Sequence, residues 1–414
     1  MGYEAGSVTE GWTAEPVDLT EEFYLNPHGV YARLRERGPV HYVRFPDSST
    51  GWLVTGYEAA KQVFTDPSIS KELGSAGARA AATAHGARGQ VAGGMFADMM
   101  IFHDPPEHTR LRALVNRAFG SRAVRELEPR VTEIADGLLA GLAGGADDVQ
   151  DLLEGYAFPL GMLMICELLG VPHEDRDRFR AWSAVLMSGD ETRDTRTDSV
   201  REFVGYIDQL IRAKGAAPGQ DVLSELIAAR EDGDRLSHRE LISMVFVLLV
   251  AGFETTVNLI GNAVAKLLTD KDSRRPLLDD PGRIPAFVEE VLRYRSPTRE
   301  TTFRYTTAPI TLAGNDIPPG QIIVVSVAAA NRDPNHFADA HRFDPDRPDN
   351  HHVAFGHGIH HCVGAPLARM EGAVALTRLL AEYPALELAD GATLEWRKSL
   401  VIRGLTALPV RLRP

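Results

Sequence analysis

The 414-residue sequence predicts a mainly α protein with a minor β part. Apolar residues recur at helical spacing through most of the middle and C-terminal regions, strand-like runs are short and few, and one long stretch without proline crosses the centre of the chain. Segments 51–55 (G-W-L-V-T) and 321–330 (Q-I-I-V-V-S-V-A-A-A) read as strands. Residues 110–119, 152–169, 200–214 and 371–381 each place apolar side chains on one helical face. The longest helix is announced by S-H-R-E at Ser237–Glu240, a capping box directly before an apolar run. It is expected to reach about Thr269, roughly 45–50 Å at 1.5 Å per residue. Segment 74–94 stands apart, with 14 Gly or Ala among 21 residues, and reads as a mobile surface segment. No internal repeat or charged tail is present.

Whole-chain properties exclude several classes. Length alone favours two or three domains. A hydrophobic content of 44% with 24% charged residues is that of a globular protein, and the net charge of −13 argues against nucleic-acid or anionic-membrane binding. Two cysteines, Cys166 and Cys362, give no disulfide framework and fit a reducing cytoplasm. The start, M-G-Y-E-A-G-S-V-T-E, lacks the cationic and apolar regions of a signal peptide. The longest nearly unbroken apolar stretch, 241–253, is too short to span a bilayer and reads as a buried helix.

Four groups of residues carry chemistry. Residues 355–364, F-G-H-G-I-H-H-C-V-G, hold Cys362 between Gly358 and Gly364, with Phe355 upstream. Glycine lets backbone turn tightly and approach a flat ligand, and backbone N–H groups beside a sulfur stabilise its thiolate. Cys166, in M-L-M-I-C-E-L-L-G, reads as core filler. Within the long helix, A-G-F-E-T-T (251–256) places a glycine, a carboxylate and two hydroxyls where a buried helix disfavours them. Ala251 and Gly252 leave a groove, Thr255 can bond a carbonyl one turn back, and Glu254 can supply protons. E-E-V-L-R sets Glu290 and Arg293 at i, i+3, a spacing Glu289 does not share. His108 and Arg112 lie one turn apart in H-D-P-P-E-H-T-R-L-R. Taken singly, each has a bland counterpart: an inert cysteine, a close helix contact, a solvated ion pair, surface cations.

Together and in this order the motifs resemble the cytochrome P-450 superfamily, in the form found in soluble actinomycete enzymes. The resemblance covers essentially the whole chain, including V-I-R-G-L at 401–405. It implies one haem domain over residues 1–414, with 74–94 covering the distal face, and haem b (iron protoporphyrin IX) held by Cys362 thiolate within a loop that includes Phe355, Gly356 and Gly364. His108, Arg112, Arg304 and His360 are implied to hold the haem propionates, and Glu254 with Thr255 to form the oxygen-activating acid–alcohol pair. Glu290, Arg293 and the later Arg347, in F-D-P-D-R, are implied to brace the cysteine loop. Met99, Val247, Ala251, Thr298, Arg299 and Ile402 are the expected substrate contacts. His361 departs from the pattern, since an apolar residue or glutamine usually precedes the cysteine.

The implied activity is monooxygenation of a small hydrophobic molecule, a secondary metabolite such as a macrolide, polyketide, terpenoid or steroid, by a cytoplasmic monomer. No flavin or iron–sulfur motif is present, so two electrons must come through a separate ferredoxin and its reductase. Six arginines between 108 and 130, at 110, 112, 117, 122, 125 and 130, make a candidate cationic docking face for that ferredoxin. Three other readings stand beside this one. Half of the 14 histidines fall within 336–361, and His357, His360, His361 and Cys362 could bind zinc or copper, although that leaves A-G-F-E-T-T and Glu290/Arg293 unexplained. A haem-thiolate protein without oxygenase activity has no need of Glu254–Thr255. Peroxide-driven or isomerising haem-thiolate enzymes usually lack an intact acid–alcohol pair.

Overall fold

The capping box at Ser237 starts the longest helical run. In the computed structural model, which describes residues 15–75, 78, 98–119, 121–143, 148–187, 193–229 and 234–412, Ser237 N–H donates to Glu240 Oε2 at 2.6 Å and Glu240 N–H to Ser237 Oγ at 3.3 Å. The run is α-helical over His238–Val247, widens to π-helical turns over Leu248–Phe253, and returns to α-helix over Glu254–Thr269. It ends where Asp270 turns extended and caps the next helix, Lys271–Asp279. Nearly all of Glu254–Thr269 is buried, and it packs against the Phe158–Leu169, Ile284–Tyr294 and Ala365–Glu382 helices.

The other helices follow their apolar periods. Ile284–Tyr294 buries Ile284, Phe287, Val288, Val291 and Leu292, the i, i+3, i+4, i+7, i+8 stripe of an amphipathic helix. Ala365–Glu382 packs on Ser121–Ala143, and Arg378 Nε reaches Asp136 at 2.5 Å across them. Helical periodicity at 110–119 and 200–214 corresponds to Glu107–Ala118 and Arg193–Ala216. The stretch expected as one helix over 152–169 begins with π-helical turns, Leu153–Ala157, and continues as Phe158–Leu169.

Among the described residues the β part is a six-stranded mixed sheet with two small ones. Its strands are β1 (Val17–Asp18), β2 (Val40–Arg44), β3 (Thr50–Val54), β4 (Ile69–Ser70), β6 (Arg304–Thr306) and β9 (Ile322–Val325), in the order β1-β2-β3-β9-β6-β4. The small sheets contain β5 (Gln150–Asp151), β10 (Glu387–Leu388) and β11 (Pro409–Arg411), and a hairpin of β7 (Ile310–Leu312) and β8 (Asn315–Ile317). Pairing of Ser70 with Tyr305 brings Lys71 beside Arg304. The strand expected over 321–330 stops at Val325, because Ser326 Oγ accepts the Ala329 N–H at 3.2 Å and caps a short helix of strong helix formers, Val327–Ala330. Of the 74–94 segment expected to be mobile, all but 74, 75 and 78 lie outside the described residues. Among the described residues no helix is long and apolar enough to cross a membrane.

Glu290 and Arg293 are both fully buried and joined bidentately, Nε to Oε2 at 2.8 Å and Nη2 to Oε1 at 2.7 Å. Arg293 also donates to the carbonyls of Asn331, Ala340 and Arg342, each at 2.9 Å. Glu290 accepts from Asp344 N–H at 2.7 Å and Asn350 Nδ2 at 3.2 Å, and Arg347 Nε approaches it at 3.6 Å. One position away, Glu289 faces the other way and binds Arg369 Nε at 2.5 Å and His352 Nε2 at 3.1 Å. These two partners hold its carboxyl down at about 2 against the opposing effect of burial.

Removing Arg293 leaves Glu290 charged in a dry site. Arg293→Ala is therefore expected to cost roughly 3–5 kcal/mol and to yield aggregated or cofactor-free protein; normal expression with full haem, by absorbance, would refute this role. Glu289 stabilises the fold above its unfolded pKa of about 4.5, a contribution lost as pH falls from there towards about 2. Glu289→Gln should cost about 1 kcal/mol near neutrality, discounted for partial exposure, and the deficit should shrink progressively when urea unfolding is taken from about pH 5 down towards pH 2.

Candidate functional site

The segment that follows the Glu290–Arg293 brace carries Cys362. Asn331, whose carbonyl Arg293 holds, accepts the Val353 N–H on its side chain at 2.8 Å. Gly356 N–H then donates to Val353 O and Cys362 N–H to Phe355 O, both at 2.9 Å, closing a tight loop. Gly356 and Gly358 have φ of +74° and +71°, which L side chains rarely adopt. A Cβ on Gly358 would lie 2.7 Å from Phe64 O, so that crossing admits no side chain. Gly364 caps the Ala365–Glu382 helix, placing the cysteine at its positive end.

Burial pushes the Cys362 thiol up, while the N–H groups of Gly364 and Ala365 and the charges of Arg112 and Arg369 oppose that shift. The side chain is accessible although protein surrounds it on most sides. Cys166, by contrast, is fully buried and driven to about 12 by burial, as befits an inert core thiol. Arg369 stacks 4.6 Å over the Phe355 ring while bound to Glu289, and Arg112 Nη1 donates to the His361 carbonyl at 2.7 Å. The loop is thus tied at both ends by guanidiniums. The ring of His361 sits 6.4 Å from that of Phe355.

Beside the loop lies a cluster of donors short of acceptors. The rings of His108 and His360 are 4.2 Å apart, and the buried Nε2 atom of each has no hydrogen-bond partner among the described residues. Burial and surrounding cations lower His108 to about 4 and His360 to about 2, so both are neutral. Arg304 is buried and lowered to about 10 by that burial. Lys71, which sequence reasoning missed, is likewise buried; its ammonium donates to Thr302 Oγ1 at 2.9 Å and is held well below its usual value by burial and by Arg304. Asp104 is the carboxylate among them, already bonded by the Ser70 hydroxyl and the Lys71 N–H. Orphaned, desolvated donors in excess of acceptors fit a ligand that brings two carboxylates. That is the fit required of haem b, with the cysteine sulfur offered to its iron.

Glu254 and Thr255 directly follow the π-helical turns. Thr255 and Thr256 both donate to Gly252 O, at 3.3 and 3.2 Å. Glu254 Oε1 lies 3.8 Å from Arg397 Nη1, and burial raises its pKa in spite of that arginine. Behind it, Glu371 on the helix that follows Cys362 is buried, raised to about 8 by desolvation, and hydrogen-bonds Thr256. This second, protonated acid was also missed by sequence reasoning, although a glutamate inside an apolar helical face was a visible signal.

The expected substrate contacts divide. Thr298 and Ile402 pair as an antiparallel bridge, and Met99 and Val247 belong to the main apolar core. The side chain of Ala251 lies outside the described residues. Arg299 corrects the expectation: it is 1% exposed, bound to Glu300 and to Phe23 O, and stacked 4.4 Å from Phe23. Adjacent residues of extended chain face opposite ways, so Thr298 and Arg299 cannot share a cavity. Of the six arginines at 110–130, Arg110 is consumed by Glu107, Asp234 and Glu240, and Arg130 by Glu133 and Glu167. The side chains of Arg117 and Arg122 lie outside the described residues. Among the described residues no three His, Cys, Asp or Glu side chains converge to hold a metal ion, so the zinc or copper reading finds no site.

Comparison with known proteins agrees. Residues 283–395 match the family described as Cytochrome P450. The chain is 46% identical to the Vitamin D(3) 25-hydroxylase of Pseudonocardia autotrophica, over 95% of each chain. It is 41% identical to the 6-deoxyerythronolide B hydroxylase of Saccharopolyspora erythraea, over 97% of this chain and 99% of that one. The ligand-free P450 monooxygenase TamI superposes with a TM-score of 0.88 at 42% identity, covering 97% of this chain and 95% of TamI. The chain belongs to the cytochrome P450 family, whose members bind haem b through a cysteine thiolate and act as monooxygenases.

Proposed function

We propose that Cys362 is the haem ligand and that the chain, acting as one haem domain, hydroxylates or epoxidises a hydrophobic secondary metabolite of macrolide, polyketide, terpenoid or steroid class. The observation that carries this is the cysteine at the start of the Ala365–Glu382 helix, beside a cluster of unpaired donors that suits two propionates. The names of the relatives, one acting on vitamin D(3) and one on 6-deoxyerythronolide B, support the substrate class. Haem supplies the site at which O2 is reduced by two electrons, one oxygen atom entering the substrate and the other leaving as water.

The residues do the rest. His108, Arg112, Arg304 and His360, joined by Lys71, bind and orient the propionates, and Arg112 also fixes the loop through the His361 carbonyl. Glu254, raised by burial, holds a proton closer to neutrality than a solvated carboxyl, and Arg397 draws its charged form outward. Thr255, whose hydroxyl donates to Gly252 O, relays protons beside the widened helix. Thr298 and Ile402, with Met99 and Val247, face the substrate. Electrons come from a ferredoxin and its reductase, and the enzyme works as a cytoplasmic monomer. Turnover reconstituted with a ferredoxin tests the donor; turnover with a flavodoxin but no ferredoxin overturns it.

A screen for substrates by the haem spin-state absorbance shift tests the class. Failure of every macrolide, polyketide, terpenoid and steroid, with a shift from another class, would overturn it. Cys362→His should lose the thiolate-type long-wavelength Soret band of the reduced carbon monoxide complex, while Cys166→Ala retains it; the reverse result refutes the ligand. Thr255→Ala should keep haem content near normal but divert most electrons into free hydrogen peroxide, read as product formed per NAD(P)H consumed. Unchanged coupling on a hydroxylated substrate refutes the relay.

A further inference from the structure

On the side of the Thr298–Ile402 bridge away from the proposed substrate face, two chain segments enclose a half-open cavity of about 260 Å³. It shares no lining residue with the cysteine site. Four guanidiniums line it, those of Arg295, Arg299, Arg332 and Arg403, together with the His28 imidazole. The volume is several times the ~30 Å³ share of a liquid water, room enough for a polyatomic ion with water around it.

Protein acceptors answer little of this charge. Glu300 binds Arg299, and Asp270, the carboxylate whose charge reaches Arg295, is already held by Lys266. The remaining acceptors are neutral carbonyls: Phe23 O for Arg299 at 2.9 Å, Tyr294 O for Arg332 at 3.0 Å, Tyr24 O for Arg403 at 3.2 Å. Nη2 of Arg299, a residue 1% exposed, has no hydrogen-bond partner among the described residues. The same holds for Nη1 of Arg295 and for Oγ of Ser296, a residue 2% exposed. Burial and mutual repulsion lower Arg332 and Arg403 to about 10 and keep His28 neutral. Buried donors in excess of acceptors, all of one sign, are costly unless an anion answers them.

The aromatic walls narrow the ligand. Arg403 lies 3.9 Å over the Trp396 ring, with Arg295 at 5.9 Å, and Arg332 lies 3.5 Å over Tyr294. Cations already cover these faces, so a nucleotide base gains no stacking partner. What is offered is charge and forked N–H donors, which suit phosphate oxygens. We propose that this cavity binds a compact, multiply charged oxyanion of the phosphate class, either inorganic phosphate or the head of a small aliphatic phosphate ester. Arg299 N–H donates to Val401 O and Arg403 N–H to Pro297 O, both at 2.7 Å, on either side of the Thr298–Ile402 bridge. An anion shared by Arg299 and Arg403 clamps the two segments that carry that bridge.

The test is calorimetric titration of the holoenzyme with inorganic phosphate and with glycerol 3-phosphate, alongside thermal unfolding in each and in sodium chloride of matched ionic strength. Expected are saturable one-to-one binding and a rise of several degrees in Tm that chloride does not reproduce. The tighter of the two ligands identifies the source. Arg295→Gln and Arg403→Gln should each weaken binding about tenfold or more, with haem content and substrate-free absorbance unchanged. Wild-type calorimetry decides the matter even where a variant fails to fold. Absence of saturable binding of either probe, or stabilisation no greater than that by chloride, overturns the proposal, as does unchanged affinity in both folded variants.

Discussion

Glu290 and Arg293 form the contact on which the rest of the architecture depends. Neither side chain touches solvent, so neither charge can be given up without leaving the other stranded. Satisfying both pairs of nitrogens and oxygens recruits backbone from far along the chain: carbonyls at 331, 340 and 342, and an N–H at 344. From Asn331 the constraint passes to Val353 and then to the Gly356 turn, which delivers Cys362 to the head of its helix. Buried ion pairs are a poor source of net stability compared with apolar packing. Their value here is geometric, because only one arrangement of a long irregular segment satisfies every donor.

A different electrostatic logic governs the wall beside the loop. His108, His360, Lys71 and Arg304 are all desolvated; Lys71 lowers the proton affinity of both imidazoles, and Arg304 that of Lys71 and His360. Two imidazoles there are neutral donors, and two cations persist at a cost in solvation. A ligand bearing two carboxylates reverses that balance, turning repulsion into charge-assisted bonding. Cofactor affinity and folding stability are linked in this site: whatever binds only the folded chain stabilises it by mass action.

Much of the chemistry was legible because it is local in sequence. The cysteine loop, A-G-F-E-T-T, the Glu290/Arg293 spacing and the capping box each lie within a few turns of chain, where residue type and period carry the meaning. What escaped depends on tertiary apposition. Lys71 meets Arg304 only through the pairing of β4 with β6. Glu289, set aside because its spacing to Arg293 was wrong, finds Arg369 and His352 on other elements. Arg397 reaches Glu254 from the C-terminal region. Arg299 was misassigned because a residue number does not disclose which side of an extended segment faces the cavity. The strand expected through Ala330 failed for a local reason, since a serine cap and three alanines outweighed the β-branched run before them.

Asn262, in the middle of the central helix, donates to the carbonyls of both Arg295 and Arg403 at 3.0 Å. One amide group thereby pins the two segments carrying Thr298 and Ile402 to the most deeply packed helix of the molecule. The backbone behind those two residues is consequently held in place from within the core. Under the proposed placement of the substrate, exchanges at 298 and 402 would reshape the recess while the framework that aligns them stays held from behind.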